Sequence, residues 1–143
     1  MFGAWSGWAP IDAVPYYKEY AVYEIRIVRN GKPIPIKRWC GTDRTGIVCI
    51  DGGNLKVKWD FFYYAAIRKA KVPHSAGRLY SILMQNTKLR GKIGDHQFEI
   101  RYRPVKSKNE GEKLEAILSK KYLMKFGEMP PLNGTIPPKV WEL

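Results

Sequence analysis

From Tyr20 the chain alternates between two sides: Tyr23, Ile25 and Ile27 fall on one, Glu24, Arg26 and Val28 on the other. That period predicts a half-buried strand, and Asn30-Gly31 marks the turn that ends it. Pro33 and Pro35 make Lys32 to Trp39 a poor central strand, so this stretch is expected as an extended basic loop or edge. Gly46 to Ile50 is a short apolar run suited to a buried strand, and Asp51-Gly52-Gly53 is expected to break it. The period then changes. Leu55, Trp59, Phe62, Tyr63, Ala66, Ile67 and Ala70 recur at the spacing of one helical face, with Asn54 as cap and Pro73 beyond the end. This aromatic stripe reads as core rather than as a base-stacking platform. A second helix is predicted over Arg78 to Gln85, and a strand over Gln97 to Arg103 with Phe98, Ile100 and Tyr102 inward. The third helix is predicted from about Asn109 to Lys125, capped by Gly127, with Pro130-Pro131 forbidding continuation. Strand, strand, helix, helix, strand, helix is the order of an α+β domain.

The flanks lack periodicity. Residues 1–19, rich in Trp, Gly, Pro and Tyr, read as an N-terminal arm; residues 20–133 as one domain; residues 134–143 as a tail that Trp141 anchors to the body. With 143 residues and 45% hydrophobic content, one core can form without disulfide or metal support. Cys40 and Cys49 are expected as buried thiols, with a disulfide across the intervening hairpin as the alternative. Together with His74 and His96 they lack the paired spacing of a zinc site. No stretch approaches the length of a membrane span and no leader-like start is present, so the expectation is a cytoplasmic protein, nucleoid- or ribosome-associated, with no membrane partner.

Charge narrows the partner. Lys and Arg number 25 against 13 acids, a formal charge of +12. Residues 54–92 carry nine basic side chains and Asp60 as their one acid. Such a field favours a polyanion, DNA or RNA, as partner. The residues expected to meet it are Lys37, Arg38 and Arg44 near the second strand, Lys56, Arg68, Lys69 and Lys71 on the first helix, Arg78, Lys88 and Arg90 after it, and Lys120 and Lys121 on the third helix.

Four patches between Tyr20 and Asn133 resemble the GIY-YIG endonuclease domain. Ala21-Val22-Tyr23 is similar to its Gly-Ile-Tyr element, and Gly46-Ile-Val-Cys-Ile-Asp51 to the strand bearing Tyr-Ile-Gly. Asn54-Leu-Lys-Val-Lys58 resembles the Asn-Leu-x-x-Arg start of the first helix, and His74-Ser-Ala-Gly77 the family's His-Ser loop. Leu114-Glu-Ala-Ile-Leu118 with Phe126-Gly-Glu-Met-Pro-Pro-Leu-Asn133 is similar to the Glu helix and terminal Asn.

The resemblance implies a three-stranded antiparallel sheet flanked by about three helices, and catalytic positions at Tyr23, Lys58, His74 and Glu115, with Glu115 as the ligand of one Mg²⁺. Phosphodiester hydrolysis needs a base, a cation for the phosphoryl oxygens and usually a divalent metal. Three positions depart from the pattern: Cys49 stands for Tyr, Asp51 for Gly and Lys58 for Arg. An ammonium cannot make the planar clamp of a guanidinium. The expectation is therefore a nucleic-acid-binding protein with a degenerate nuclease-like domain, weak or inactive in cleavage, acting as a structural DNA binder or an RNA- or ribosome-associated protein. The alternative is a divergent Mg²⁺-dependent DNA endonuclease of restriction, repair or mobile-element type. Mg²⁺ is expected as cofactor in that second case and none in the first.

Overall fold

A computed structural model describes residues 3–13, 19–62, 66 and 75–143, leaving aside the side chains of residues 56, 57, 59 and 60. The fold is α+β, built around one long strand. β2 (Tyr20–Arg29) runs through the middle of an antiparallel sheet, with β7 (Gln97–Pro104) on one side and β6 (Ile47–Asn54) on the other. The sheet exceeds the three strands expected. Two short strands extend it to five. β3 (Lys32–Pro33) folds back on the end of β2 through Asn30-Gly31, both at positive φ, as a tight hairpin demands. β1 (Ala9–Pro10) pairs with the outer edge of β7.

Four expectations need correction. Trp141 does not anchor the tail: it is 75% exposed, and its neighbour Val140 is the buried residue. The proline-marked stretch is not a plain loop: β4 (Ile36–Arg38) and β5 (Gly41–Asp43) form a separate two-stranded hairpin with Trp39 and Cys40 at its tip. Asp51-Gly52-Gly53 does not break β6, because the ladder to Tyr23, Val22 and Ala21 outweighs the poor strand preference of Gly. Cys40 is exposed and only Cys49 is buried, and both are free thiols.

The described residues include four helices. α1 (Leu55–Phe62) follows β6 without a gap, and α2 (Ser75–Leu83) starts three residues before the sequence reading. α3 (Thr87–Ile93), missed by that reading, is capped by Asn86, whose side chain accepts from the Leu89 amide. α4 (Lys108–Phe126) begins at Ser107, which caps Glu110 N–H, and ends at Gly127, left-handed at φ 76°. Among the described residues no helix is long and apolar enough to cross a membrane.

Helices cover the two sheet faces unequally. On one face Tyr23, Ile25, Ile27, Phe98 and Ile100 meet Leu55, Phe62 and Ala66 from the α1 region and Ala76 from α2. Phe62 and Phe98 pack edge to face at 5.4 Å, worth about 0.5–1.5 kcal/mol beyond area burial. Leu55, Phe62 and Ala66 bear out the core reading of the stripe where it is described; Tyr63, Ile67 and Ala70 lie outside the described residues, as does the side chain of Trp59.

On the opposite face Leu114, Tyr122 and Phe126 of α4 cover Val22, Ile47 and Ile50. The rest of that face carries charge, in the cross-strand pairs Arg26 with Glu99 and Arg101 with Glu24. The N-terminal arm roofs it. Gly3 and Ser6 amides donate to β7 carbonyls, while Trp8 lies 4.2 Å from the Arg26 guanidinium and Trp5 4.3 Å from that of Arg101.

Candidate functional site

The site forms where β6, α1 and α4 meet. The chain after α4 runs along the outer edge of β6: Leu132 N–H donates to Val48 O, and the Asn133 carboxamide bonds both Ile50 backbone groups, at 2.9 and 2.7 Å. One residue beyond Ile50, Asp51 lines a cleft of about 570 Å³ whose walls include Tyr20, Lys58, Glu112, Glu115 and Lys139. The Gly pair makes its floor. A β-carbon at Gly52 would sit 3.2 Å from Glu115 Oε2, and one at Gly53, where φ is +150°, would sit 2.9 Å from Lys58 Cε. Glu115 and Lys58 therefore occupy space that side chains on β6 would fill.

Asp51 is the hub. Its Oδ1 accepts from the Gly52 amide at 2.8 Å, and its Oδ2 faces Tyr23 Oη at 3.3 Å and Lys58 Nζ at 3.5 Å. Burial, then the Asp51 charge, push the Glu115 carboxyl up to about 8, against the opposing pull of Lys58. Tyr20 is raised by its own burial and by Glu115. Burial pushes Tyr23 well above the ordinary phenol, with Asp51 adding to the shift, and it pushes the Cys49 thiol up as well. Tyr23 is 1% exposed, so its phenol keeps its proton and meets Asp51 rather than solvent.

Three of the four expected catalytic residues, Tyr23, Lys58 and Glu115, meet around Asp51. His74 lies outside the described residues. Glu115 reaches the cleft from α4, its carboxylate in the space left by Gly52. Asp51 is the residue that sequence reasoning missed. Its signal was present, since an acid immediately before Gly-Gly and a basic helix start is placed to face that helix.

Among the expected nucleic-acid contacts, Lys37, Arg44, Arg78, Lys88, Arg90 and Lys121 are exposed, and Lys120 is half-buried with its ammonium on Leu143 O. Lys56 is described without its side chain, and Arg68, Lys69 and Lys71 lie outside the described residues. Arg38 is a correction. It is 6% exposed, donates to Ile47 O and lies 5.5 Å from the Tyr122 ring, so it belongs to the interior. Nor do the basic residues share one face, because α2 and α4 pack on opposite sides of the sheet.

Among the described residues no group of three His, Cys, Asp or Glu side chains could hold a metal ion. Glu112 and Glu142 line the same cleft, but Glu112 is engaged by Lys139 and Lys108 and Glu142 stands on the tail, which leaves Asp51 and Glu115 as the two carboxylates beside Lys58. That donor set is too small for a structural zinc, and it fits Mg²⁺, which keeps several waters and takes one or two carboxylates. No family model, curated protein or solved structure matches the chain.

Proposed function

We propose that this protein binds nucleic acid and that its nuclease-like cleft cleaves weakly or not at all. Binding is supported by Arg78, Lys88, Arg90 and Lys92 on α2 and α3, exposed and in ion pairs with no acid among the described residues. Basic groups left without acid partners are free to displace counterions from phosphates. One observation carries the weak-cleavage half of the reading: the buried Tyr23 phenol holds its proton and donates to Asp51, so it cannot take a proton from water.

A second reading, a divergent Mg²⁺-dependent endonuclease, is favoured by Asp51 standing beside Glu115 and Lys58. In that case Asp51 and Glu115 would hold the ion, which when bound supplies Lewis-acid stabilisation of phosphoryl charge. Lys58 would orient a phosphate oxygen, and Tyr23 would hold Asp51 in place.

Labelled duplex DNA, single-stranded DNA and RNA, each with Mg²⁺ or with chelator, test both readings in one series. Binding should weaken steeply with salt, at a log–log slope of roughly −4 to −5 on duplex DNA if about 5 phosphates are neutralised. A flat salt response, or no binding at low salt, removes the nucleic-acid reading. Cleavage should stay near background. Brisk Mg²⁺-dependent cutting that Glu115→Gln abolishes would install the second reading in place of the first.

A further inference from the structure

The tip of the β4–β5 hairpin carries a side chain that the cleft does not use. Arg38 pairs with Gly41, leaving Trp39 and Cys40 as the two turn residues, positions at which Gly, Asn and Asp are the usual choice. Trp39 is 81% exposed, and Met124 on the last turn of α4 is 78% exposed. Scattered exposed apolar residues are ordinary. This one differs in being held still. Its amide donates to Glu128 Oε1 at 2.9 Å, and the Cys40 amide donates to Phe126 O at 3.3 Å. The ring rests against Gly127, where an added β-carbon would come within 2.7 Å of it.

The surroundings are basic. Lys37, Arg44, Lys121 and Lys125 are exposed on the segments that meet here, against Glu128 as the one exposed acid between Lys32 and Thr45 or between Ala116 and Glu128. A rigid aromatic plate among cations fits an unpaired base better than an apolar protein surface, because each base offers a π-face and its phosphate a charge partner. We infer that Trp39 is a stacking platform for an unpaired base of single-stranded or frayed nucleic acid. The inference rests on the nucleic-acid reading above and adds the class of ligand. Eleven residue steps of α4 separate Glu115 from Phe126, about 16 Å at 1.5 Å per residue, or roughly five base steps at 3.4 Å. The platform is thus a contact separate from the cleft.

Fluorescence anisotropy with labelled oligo-dT and with a blunt duplex tests it on wild type, Trp39→Ala and Trp39→Phe, with sedimentation of each protein alone. Trp39→Ala should weaken oligo-dT binding about 5- to 100-fold, the range for one lost base stack. The duplex should change less than about 2-fold, and the salt slope should stay the same, because stacking releases no counterions. Trp39→Phe should recover most of the loss, and the melting temperature should move by less than about 2 °C. Equal oligo-dT affinity in wild type and Trp39→Ala, with salt-dependent binding intact, overturns the platform alone. Absence of all binding by wild type overturns the nucleic-acid reading and the platform with it. Self-association of wild type that Trp39→Ala abolishes makes the patch an interface between copies and also overturns it.

Discussion

Two places in this molecule combine the same three kinds of side chain, a carboxylate, a tyrosine and a cation, with opposite results. In the interior, Asp43 is 0% exposed and accepts from Tyr122 Oη at 2.8 Å and from both the amide and the hydroxyl of Thr45, while Arg38 lies over the Tyr122 ring. At the cleft, Asp51 accepts one short bond from Gly52 and faces Tyr23 and Lys58 at 3.3 and 3.5 Å, its side chain 25% exposed. A second carboxylate, Glu115, shares its cleft. The first carboxylate is saturated by neutral donors at short range. The second has capacity left, and a neighbour of like charge that gains from any cation entering. Saturation makes a structural knot, and spare coordination makes a candidate site.

Removing each hub should separate the two most strongly. Asp43→Ala leaves the buried Tyr122 hydroxyl and the amide of exposed Thr45 without their acceptor, a cost of about 2–4 kcal/mol. Asp51→Ala gives up a long, partly exposed ion pair, the Gly52 amide bond and the 3.3 Å bond from buried Tyr23 but relieves the repulsion on Glu115, so it should cost less, about 1–2 kcal/mol. Urea denaturation of both variants measures the difference. Equal losses would mean that Asp51 is as structural as Asp43.

The sequence made parts of this contrast legible and hid others, for physical reasons. β2 is readable because one face is apolar at period two, and α4 because an apolar stripe, Ser107 and Gly127 all agree on its limits. Asn133 bonds the edge of β6 through its carboxamide, a contact that no period in the sequence marks. α3 was hidden: seven residues with Gly91 inside them give too little period to detect. β1 was hidden as well, because the arm is tied down by backbone bonds to β7 and by Trp rings over arginines, neither of which leaves a repeat in the sequence. Arg38 and Asp51 failed for one shared reason. Each stands beside prolines or glycines that make the sequence read as loop or break, so neither has a side until the ladder fixes which way it points.

A smaller effect follows from protonation, and it belongs to the cleft alone. Glu115 titrates near 8 when folded, above the ordinary carboxyl value of 4.5, so between those values the folded protein holds a proton that the unfolded chain has released. Stability in chelator should therefore fall as pH rises from about 5 to 8, by on the order of 2 kcal/mol, less than the full linkage because the cleft admits water. Glu115→Gln should flatten that fall. Tyr122 is also raised, by burial and by its bond to Asp43, but it stays protonated throughout this window and the knot should not respond. Adding Mg²⁺ at pH 8 should restore part of the lost stability in wild type and none in Glu115→Gln, since the ion needs the deprotonated carboxylate. A pH profile identical in the two proteins would remove Glu115 from the cleft's electrostatics.

The smallest effect on stability should come from the cation of the cleft. Lys58 holds Asp51 from a side chain 38% exposed, so Lys58→Gln should cost less than about 0.5 kcal/mol, whereas Arg38→Gln strips a buried donor from Ile47 O and a ring contact from Tyr122, about 1–3 kcal/mol. The sign of a second readout distinguishes them further. Lys58 opposes the upward push on Glu115, so its loss should move the pH midpoint of the stability profile higher, while Lys58→Arg should leave it near wild type. If Lys58 also meets a phosphate, Lys58→Gln should reduce the salt slope of nucleic-acid binding by about 1. Lys58→Arg, which puts a planar, bidentate guanidinium at the position, should keep the slope and raise any Mg²⁺-dependent cleavage. A midpoint that stays put in Lys58→Gln, with an unchanged slope, would reduce Lys58 to a solvated surface charge and leave Asp51 and Glu115 without a cation of their own.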